Sequence, residues 1–426
     1  PLQPEAYDSD VDAEVKDAHI RESRPQQGQP QLKREGGRLS TKPAASGAEA
    51  LPCATLLEAP GGYELPEDAH QAPGDNLLLE YVHGYRAHGS RNNIGVVAGT
   101  GEVVFPAAGL GVVLDPASNT QRFFTGHDDD VLALAIDPKG EVCATGQVGD
   151  NPRICVWRLS DCALLAELTG CHRAAVTALA FDGTGKRLAS VGCDAMNTLC
   201  VHEWASSPRD KDKVFSGELV ASAQAGPRRV LCVGWNPVDG RVVTGGERHL
   251  GFWSLEDGQL FCAAAQYAQG ARKGHGVSTV LSLCFTPDGA TLAGTKGGAV
   301  YQFAEGSAKP LKKFDCVHQG PVHCLLYSGE RVLSAGKDGK VKVHNAYMEL
   351  RHTVDLAKAA EGLVDSNSRP ESFVAGRAPS VRAMAWDASR QALVVGTRSS
   401  EVFSFDMSDP EGGSFRRKGA AGPPSY

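Results

Sequence analysis

Hydrophobic and polar positions between Gly126 and Asp406 repeat one order. A Gly-His or X-His pair comes first, then an apolar run ending near Asp and Gly, then a run of small residues, then a run finishing on Trp, His or Phe. The clearest copies start at Gly126-His127, Cys171-His172, Gly274-His275 and Val317-His318, each followed by Val131, Val176, Val280 or Val322 at the head of an alternating apolar run. Runs from Val230 and Val381 keep the pattern without the histidine. Successive opening valines lie 45, 54, 50, 42 and 59 positions apart, which brackets the roughly 40–45 residues of a four-stranded blade with its loops lengthened. Alternation with a period of two residues marks half-buried strands. The pattern therefore predicts an all-β propeller.

An earlier stretch supplies one more blade. Residues 93–97, 102–105, 110–114 and 120–124 are short β-branched or aromatic runs separated by Gly, Pro and Asn turns. The expected total is about seven blades over residues 93–406, within the usual range. The last blade reads one strand short: after 381–386, 392–395 and 401–405 the chain enters Asp409-Pro410-Glu411-Gly412-Gly413, and 407–426 reads as a flexible C-terminal tail. An open sheet edge invites aggregation. Residues 80–92 are therefore the candidate ring-closing strand, expected to pair beside 401–405.

Charge separates the rest of the chain. Residues 1–79 hold seven Lys/Arg against fourteen Asp/Glu, a balance of −7 that equals the whole-chain value, so 80–426 is formally neutral. Pro, Gln, Gly and Ala dominate that first segment, and Asp8, Asp10, Asp12, Glu14 and Asp17 crowd one part of it. Such a composition buries too little apolar surface to offset ordering entropy, so 1–79 reads as a disordered acidic linker or tail. The sequence has no apolar run near 18 residues and no signal-like start, which predicts a soluble cytoplasmic protein without membrane contact. It begins with Pro and has linker-like flanks, the expectation for a piece of a longer protein. Its 12 cysteines contain no C-x-x-C pair, and Cys155, Cys200, Cys232, Cys284 and Cys324 fall at strand positions suited to a small apolar residue. They read as buried reduced thiols.

The segment Glu80-Tyr81-Val82-His83-Gly84-Tyr85-Arg86-Ala87-His88, with Arg91-Asn92-Asn93, resembles the HELP motif of the echinoderm microtubule-associated protein-like (EMAP-like) WD-repeat proteins. Further resemblance lies in Phe123-Phe124-Thr125-Gly126-His127-Asp128-Asp129-Asp130, in Ala144-Thr145-Gly146-Gln147-Val148-Gly149 and in 188–198. It is close over 80–204 and fades to general blade grammar by about residue 406. The resemblance implies pairing of two propellers across the HELP region and association with microtubules. One propeller is visible here, and no amino-terminal heptad run is.

Blade grammar also explains the candidate chemistry. In a WD-type blade a loop histidine, a second-strand Ser or Thr, a turn Asp and a third-strand aromatic form a buried hydrogen-bond chain. His318, Ser334 and Asp338 have that spacing, as do His172, Ser190 and Asp194; His127, Thr145 and Trp157 supply most of a third set. A Ser, His and Asp set also suggests a hydrolase triad, but a catalytic constellation is built once and this one recurs. The third-strand aromatic is replaced by His202 and His344 in two blades, where a histidine is either a ligand or pH sensor or simply fills the slot. No Cys/His cluster has zinc spacing. Gly99-Thr100-Gly101 and 182–187 lie between strands and read as hairpin turns, not phosphate cradles. No metal or cofactor is expected.

These features predict a binding module. Small basic clusters on a neutral body exclude a general nucleic-acid binder. The expected partners are tubulin, microtubules or microtubule-bound proteins, and a second propeller of the same longer protein. The expected location is the cytoplasm and cytoskeleton, including the cilium or axoneme. The alternative is a cytosolic or ciliary WD-repeat scaffold without tubulin contact. The candidate HELP interface is Tyr81, His83, Tyr85, Arg86, Arg91 and Asn92, with packing against a neighbouring propeller as its competing role.

Overall fold

The computed structural model of the chain describes residues 78–205, 214–266, 278–361, 379–407 and 416–420. The expected acidic tail, apart from 78 and 79, lies outside the described residues. The first blade is β1 (Gly95–Val96), β2 (Val103–Ala107), β3 (Leu110–Asp115) and β4 (Thr120–Phe124). There follow β5 (Val131–Ile136), β6 (Val142–Gly149), β7 (Ile154–Arg158), β8 (Leu164–Leu168), β9 (Ala174–Phe181), β10 (Arg187–Gly192), β11 (Thr198–Glu203) and β12 (Glu218–Gln224). The next two blades are β13 (Val230–Trp235), β14 (Val242–Gly246), β15 (His249–Glu256) and β16 (Gln259–Ala264), then β17 (Val280–Phe285), β18 (Thr291–Thr295), β19 (Val300–Phe303) and β20 (Pro310–Phe314). The last two are β21 (Val322–Ser328), β22 (Arg331–Gly336), β23 (Lys340–Asn345) and β24 (Leu350–Asp355), then β25 (Val381–Asp387), β26 (Ala392–Thr397), β27 (Val402–Asp406) and β28 (Arg416–Ala420). A short helix, α1 (Leu356–Glu361), follows β24. Among the described residues no helix is long and apolar enough to cross a membrane.

The all-β propeller stands, but the expected count of about seven blades does not. Five four-stranded sheets form discrete blades, and β5–β12 form one eight-stranded sheet. The reason is local. The segment Gln147-Val148-Gly149 stays extended instead of turning, so β6 runs past its partner β7 and pairs Val148 with Ala175 and Gly149 with Ala174 of β9. A β-branched residue ahead of glycine continues the strand there.

Each interior cluster is shared by neighbouring strand sets, as alternation requires: one side of a sheet buries against the next. Val131, Val176, Val230, Val280, Val322 and Val381, the opening valines, are all buried. Trp157 is fully buried between β7 and the first blade, stacked on Phe124 at 4.9 Å. Gly111 makes room for it, since a Cβ there would lie 2.6 Å from the indole.

Closure of the ring does not follow the expected strand loan. β28 pairs with β27 from Phe403↔Ala420 to Asp406↔Arg416, so the fourth position of the last blade is filled by the chain's own C-terminal segment. Residues 80–92 contain no strand. The basic run 416–420 has no alternating apolar signal, and for that reason it read as part of a tail. The HELP segment closes the ring by packing instead. Tyr85 and Ala87 join Ile94, Phe105, Ala383, Val394 and Val402 in one buried cluster drawn from the first and last blades. The Tyr85 hydroxyl donates to the Thr397 carbonyl at 2.7 Å, and burial raises its pKa above the ordinary tyrosine value. A Cβ on Gly396 would lie 2.5 Å from that hydroxyl, so glycine is what admits the ring. Asn92 N–H donates to the Arg382 carbonyl at 3.1 Å, while Arg86 N–H donates to Pro106 at 2.8 Å.

Tyr85→Phe should cost about 1 kcal/mol, the loss of one buried hydrogen bond. Tyr85→Ala should cost on the order of 3–5 kcal/mol by opening a cavity at the closure. Calorimetric unfolding separates the two. Equal and small losses would mean that the tyrosine ring does not hold the first and last blades together.

Candidate functional site

The histidines at the blade heads are organised by the strands that carry their partners. Trp157 Nε1–H donates to Thr145 Oγ1 at 3.0 Å, and Thr145 Oγ1 meets His127 Nε2 at 2.7 Å. His127 Nδ1 lies 2.7 Å from Gln147 Oε1, and Gln147 Nε2 donates to Asp128 Oδ1 at 2.6 Å. The amide fixes the tautomer: its oxygen must accept, so Nδ1 carries the proton and Nε2 accepts from Thr145. The chain ends in an ion pair of Asp128 with Arg153.

The blade of His318 makes the same arrangement with a carboxylate. His318 Nδ1 donates to Asp338 Oδ1 at 2.9 Å, and Nε2 meets Ser334 Oγ at 2.9 Å, which in turn meets His344 Nε2 at 3.0 Å. Burial pushes the Asp338 carboxyl up, but the bond from His318 and its charge, with amides of Gln319 and Lys340, outweigh burial and hold it below the usual value. His172 is less complete. Its Nε2 lies 2.7 Å from Ser190 Oγ, whereas Nδ1 has no hydrogen-bond partner among the described residues. Asp194 accepts from the amides of Met196 and Thr198 at 3.0 Å each instead. Its own tight turn captures the carboxylate, an Asx-type competition that spacing alone does not reveal.

One member escaped the sequence reading. In the blade headed by Val230, one of the two without a head histidine, Trp253 Nε1–H donates to Thr244 Oγ1 at 2.8 Å and Thr244 meets His249 Nε2 at 2.7 Å. The imidazole enters from the β14–β15 hairpin, five residues after the threonine. Its signal was available: a Thr, His and Trp all fall on adjacent strands of one blade.

The remaining HELP residues sit nearer the surface. Tyr81 Oη donates to Asn119 Oδ1 at 3.0 Å, and its ring lies 4.9 Å from that of His83, which is exposed. Gln121 pairs its side-chain amide with both backbone groups of Val82, at 2.7 and 3.0 Å, an imitation of a strand partner. Arg86 forms an ion pair with Asp130, and both groups are half-buried. Arg91 and Asn92 line a cavity of about 50 Å³ against the inner strands, with Leu134, Thr177 and Leu231. Thus Tyr85 serves closure and Arg86 ties the segment to the residue ahead of β5, while His83 and Asn92 are exposed and Tyr81 is half-buried. Among the described residues no group of three or more His, Cys, Asp and Glu is placed to hold a metal ion.

Ser334→Ala should strand the imidazoles of His318 and His344 and cost about 1–3 kcal/mol. Burial also lowers His172 and His344 to about 4. A depressed histidine pKa means that the unfolded chain binds more protons below about 6.5, so this stability is complete above that pH and is lost on acidification. For His172, the shift to about 4 corresponds to a loss of about 2 kcal/mol at pH 5. Denaturant midpoints measured from pH 7.5 to 5 should fall steadily; a flat profile would contradict neutral, buried histidines.

Comparison with known proteins bears on this site as a whole. The family described as "Echinoderm microtubule-associated protein first beta-propeller" matches residues 120–404, and the HELP motif matches 72–112. A 77 kDa echinoderm microtubule-associated protein of Strongylocentrotus purpuratus is 27% identical over 343 residues, 76% of this chain and 48% of that protein. Echinoderm microtubule-associated protein-like 1 of Homo sapiens is 30% identical over 66% of this chain and 35% of its own length. Echinoderm microtubule-associated protein-like 2 of Mus musculus is 29% identical over 64% and 42% respectively. The chain spans less than half the length of these relatives. With its HELP segment seated between the first and last blades and the family's propeller match running through the rest, the chain belongs to the echinoderm microtubule-associated protein family.

Proposed function

We infer that the chain is a non-catalytic microtubule-associated interaction module that works within the cytoskeleton as part of a longer protein. The observation that carries this reading is the family match over 120–404, continuous with the HELP segment. Relatives named as microtubule-associated proteins support it. The recurrence of the His and Ser or Thr networks in several blades supports a structural rather than catalytic use of those groups.

Charge limits the mode of contact. Tubulin's exposed tails are acidic, and a polybasic segment is the simplest way to hold them, but residues 80–426 are formally neutral and 1–79 carry −7. Contact therefore comes from a shaped propeller surface, with the accessible part of the HELP segment at Tyr81, His83 and Asn92 as one element of it. A single such surface binds weakly. A second propeller in the same protein raises occupancy through effective concentration.

Co-sedimentation with stabilised microtubules tests the proposal. The chain alone should pellet as a minor fraction with modest dependence on salt, and a tandem fusion of two copies should pellet more completely. Tight binding that disappears between low and physiological salt would overturn the charge argument. Absence of binding by the fusion would overturn direct microtubule contact and leave a scaffold.

A further inference from the structure

Two blades carry histidine in the third-strand aromatic slot, and the two histidines do different things. His344 joins the hydroxyl network through Ser334. His202, equally buried, turns its Nε2 to the sulfur of Cys171 at 3.2 Å. Simple occupation of the slot does not explain that choice. The sequence shows a paired exchange: where the preceding strand set has Gly126 ahead of its head histidine and Trp157 in the slot, this one has Cys171 and His202. A CH2SH group has replaced a hydrogen atom, and an imidazole has replaced an indole, at two places that touch.

A second thiol completes the cluster. Cys200 and His202 are two residues apart on β11, so strand alternation puts them on one face, and Cys200 faces Ser190 across the β10–β11 ladder. Cys171 Sγ lies 3.2 Å from His202 Nε2, and the Cys200 thiol neighbours it closely enough to act on its ionisation. Cys200 is buried, whereas Cys171 is half-buried with an approach from solvent. The remaining titratable neighbours are His172, beside Cys171 in sequence, and Asp194, which acts on His172 and Cys200.

We propose that Cys171, 3.2 Å from the buried His202, is a reactive cysteine site for hydroperoxides, with His202 as its positioning imidazole and Cys200 as the resolving thiol. Cys200 and His202 favour the charged form of Cys171 and hold its thiol well below the ordinary value, and the adjoining imidazoles act in the same direction. Cys200 is driven the opposite way, first by Cys171, then by burial and the neighbouring negative charge.

The chemistry balances without a cofactor. The Cys171 thiolate attacks the terminal oxygen of ROOH, the O–O bond breaks, and the sulfur becomes a sulfenic acid as RO⁻ leaves and takes a proton from water. Sulfur has lost two electrons and the peroxide has gained them. Oxidation also removes the negative charge that kept Cys200 protonated. The Cys200 sulfur, giving its proton to solvent, then attacks the sulfenic sulfur, S–S forms, and hydroxide leaves. The sum is two thiols and ROOH giving a disulfide, ROH and water. The product would tie the loop ahead of β9 to β11 inside the eight-stranded sheet.

The test uses the reduced full chain and a pulse of iodoacetamide followed by peptide mass mapping, with the exposed Cys316 as internal standard. At about pH 6 Cys171 should be alkylated about ten-fold faster than Cys316, because the thiolate is the reacting species and Cys171 holds that form there. His202→Gln and His202→Phe should move the pH midpoint for Cys171 upward and remove the advantage, with thermal melts identifying any variant that fails to fold. Hydrogen peroxide should yield a peptide crosslinked between Cys171 and Cys200, and Cys200→Ser should stop at a sulfenic acid trapped by dimedone. Labelling of Cys171 no faster than Cys316, or a midpoint indifferent to His202→Gln, would overturn the thiolate site. Oxidation of Cys171 without the crosslink would overturn the role of Cys200.

Discussion

A ring of sheets is only as sound as the seam where its last member meets its first. Every other neighbour in this molecule is joined by continuous chain, but the first and last blades are far apart in sequence and must find each other. Here the seam is a buried aromatic residue. Tyr85 occupies space that exists because Gly396 has no side chain, and its hydroxyl satisfies the Thr397 carbonyl. The apolar cluster around it draws on both blades. The HELP segment therefore has an internal task before it has any external one, and only those of its residues left exposed are free for a partner.

Inside three of the strand sets, those of Thr145, Thr244 and Ser334, the polar groups are handled by a different device. A hydroxyl on the second strand sits between an imidazole and a third-strand ring, which lets one Thr or Ser satisfy two buried partners at once. The blades vary the parts: Gln147 stands where Asp338 stands elsewhere, and His249 enters from a hairpin instead of the head loop. What persists is the hydroxyl. The identity of the proton acceptor at the outer end is secondary, and so blades with unlike loops keep one geometry.

Much of this was legible because it depends on period. The opening valines, Trp157, and the pairs His318 with Ser334 and His127 with Thr145 all follow from alternation and repeat spacing, signals that survive loop insertions. What escaped was set by competition between local alternatives. Residues 416–420 carry no apolar alternation yet form β28, because a vacant edge on β27 accepts almost any extended backbone. Val148 and Gly149 carry β6 past β7 to pair with β9, a link between strand sets that repeat spacing does not specify. Asp194 had a choice between an imidazole and two amides and took the amides. The contact of Cys171 with His202 lies in no repeat at all; it becomes visible only when one set of strands is compared with its neighbour slot by slot.

The eight-stranded sheet has a consequence for how the ring comes apart. In a propeller of discrete blades each sheet is its own hydrogen-bonded unit, and neighbours are coupled through side chains and isolated main-chain bonds, such as Val131 N–H to the Ala108 carbonyl here. The ladder between β6 and β9 adds main-chain coupling across one of those boundaries. Strands β5–β12 thus behave as one cooperative segment, and loosening of one half exposes backbone groups of the other. The ring thus has one boundary held by a main-chain ladder and another, at Tyr85, held by packing and single hydrogen bonds.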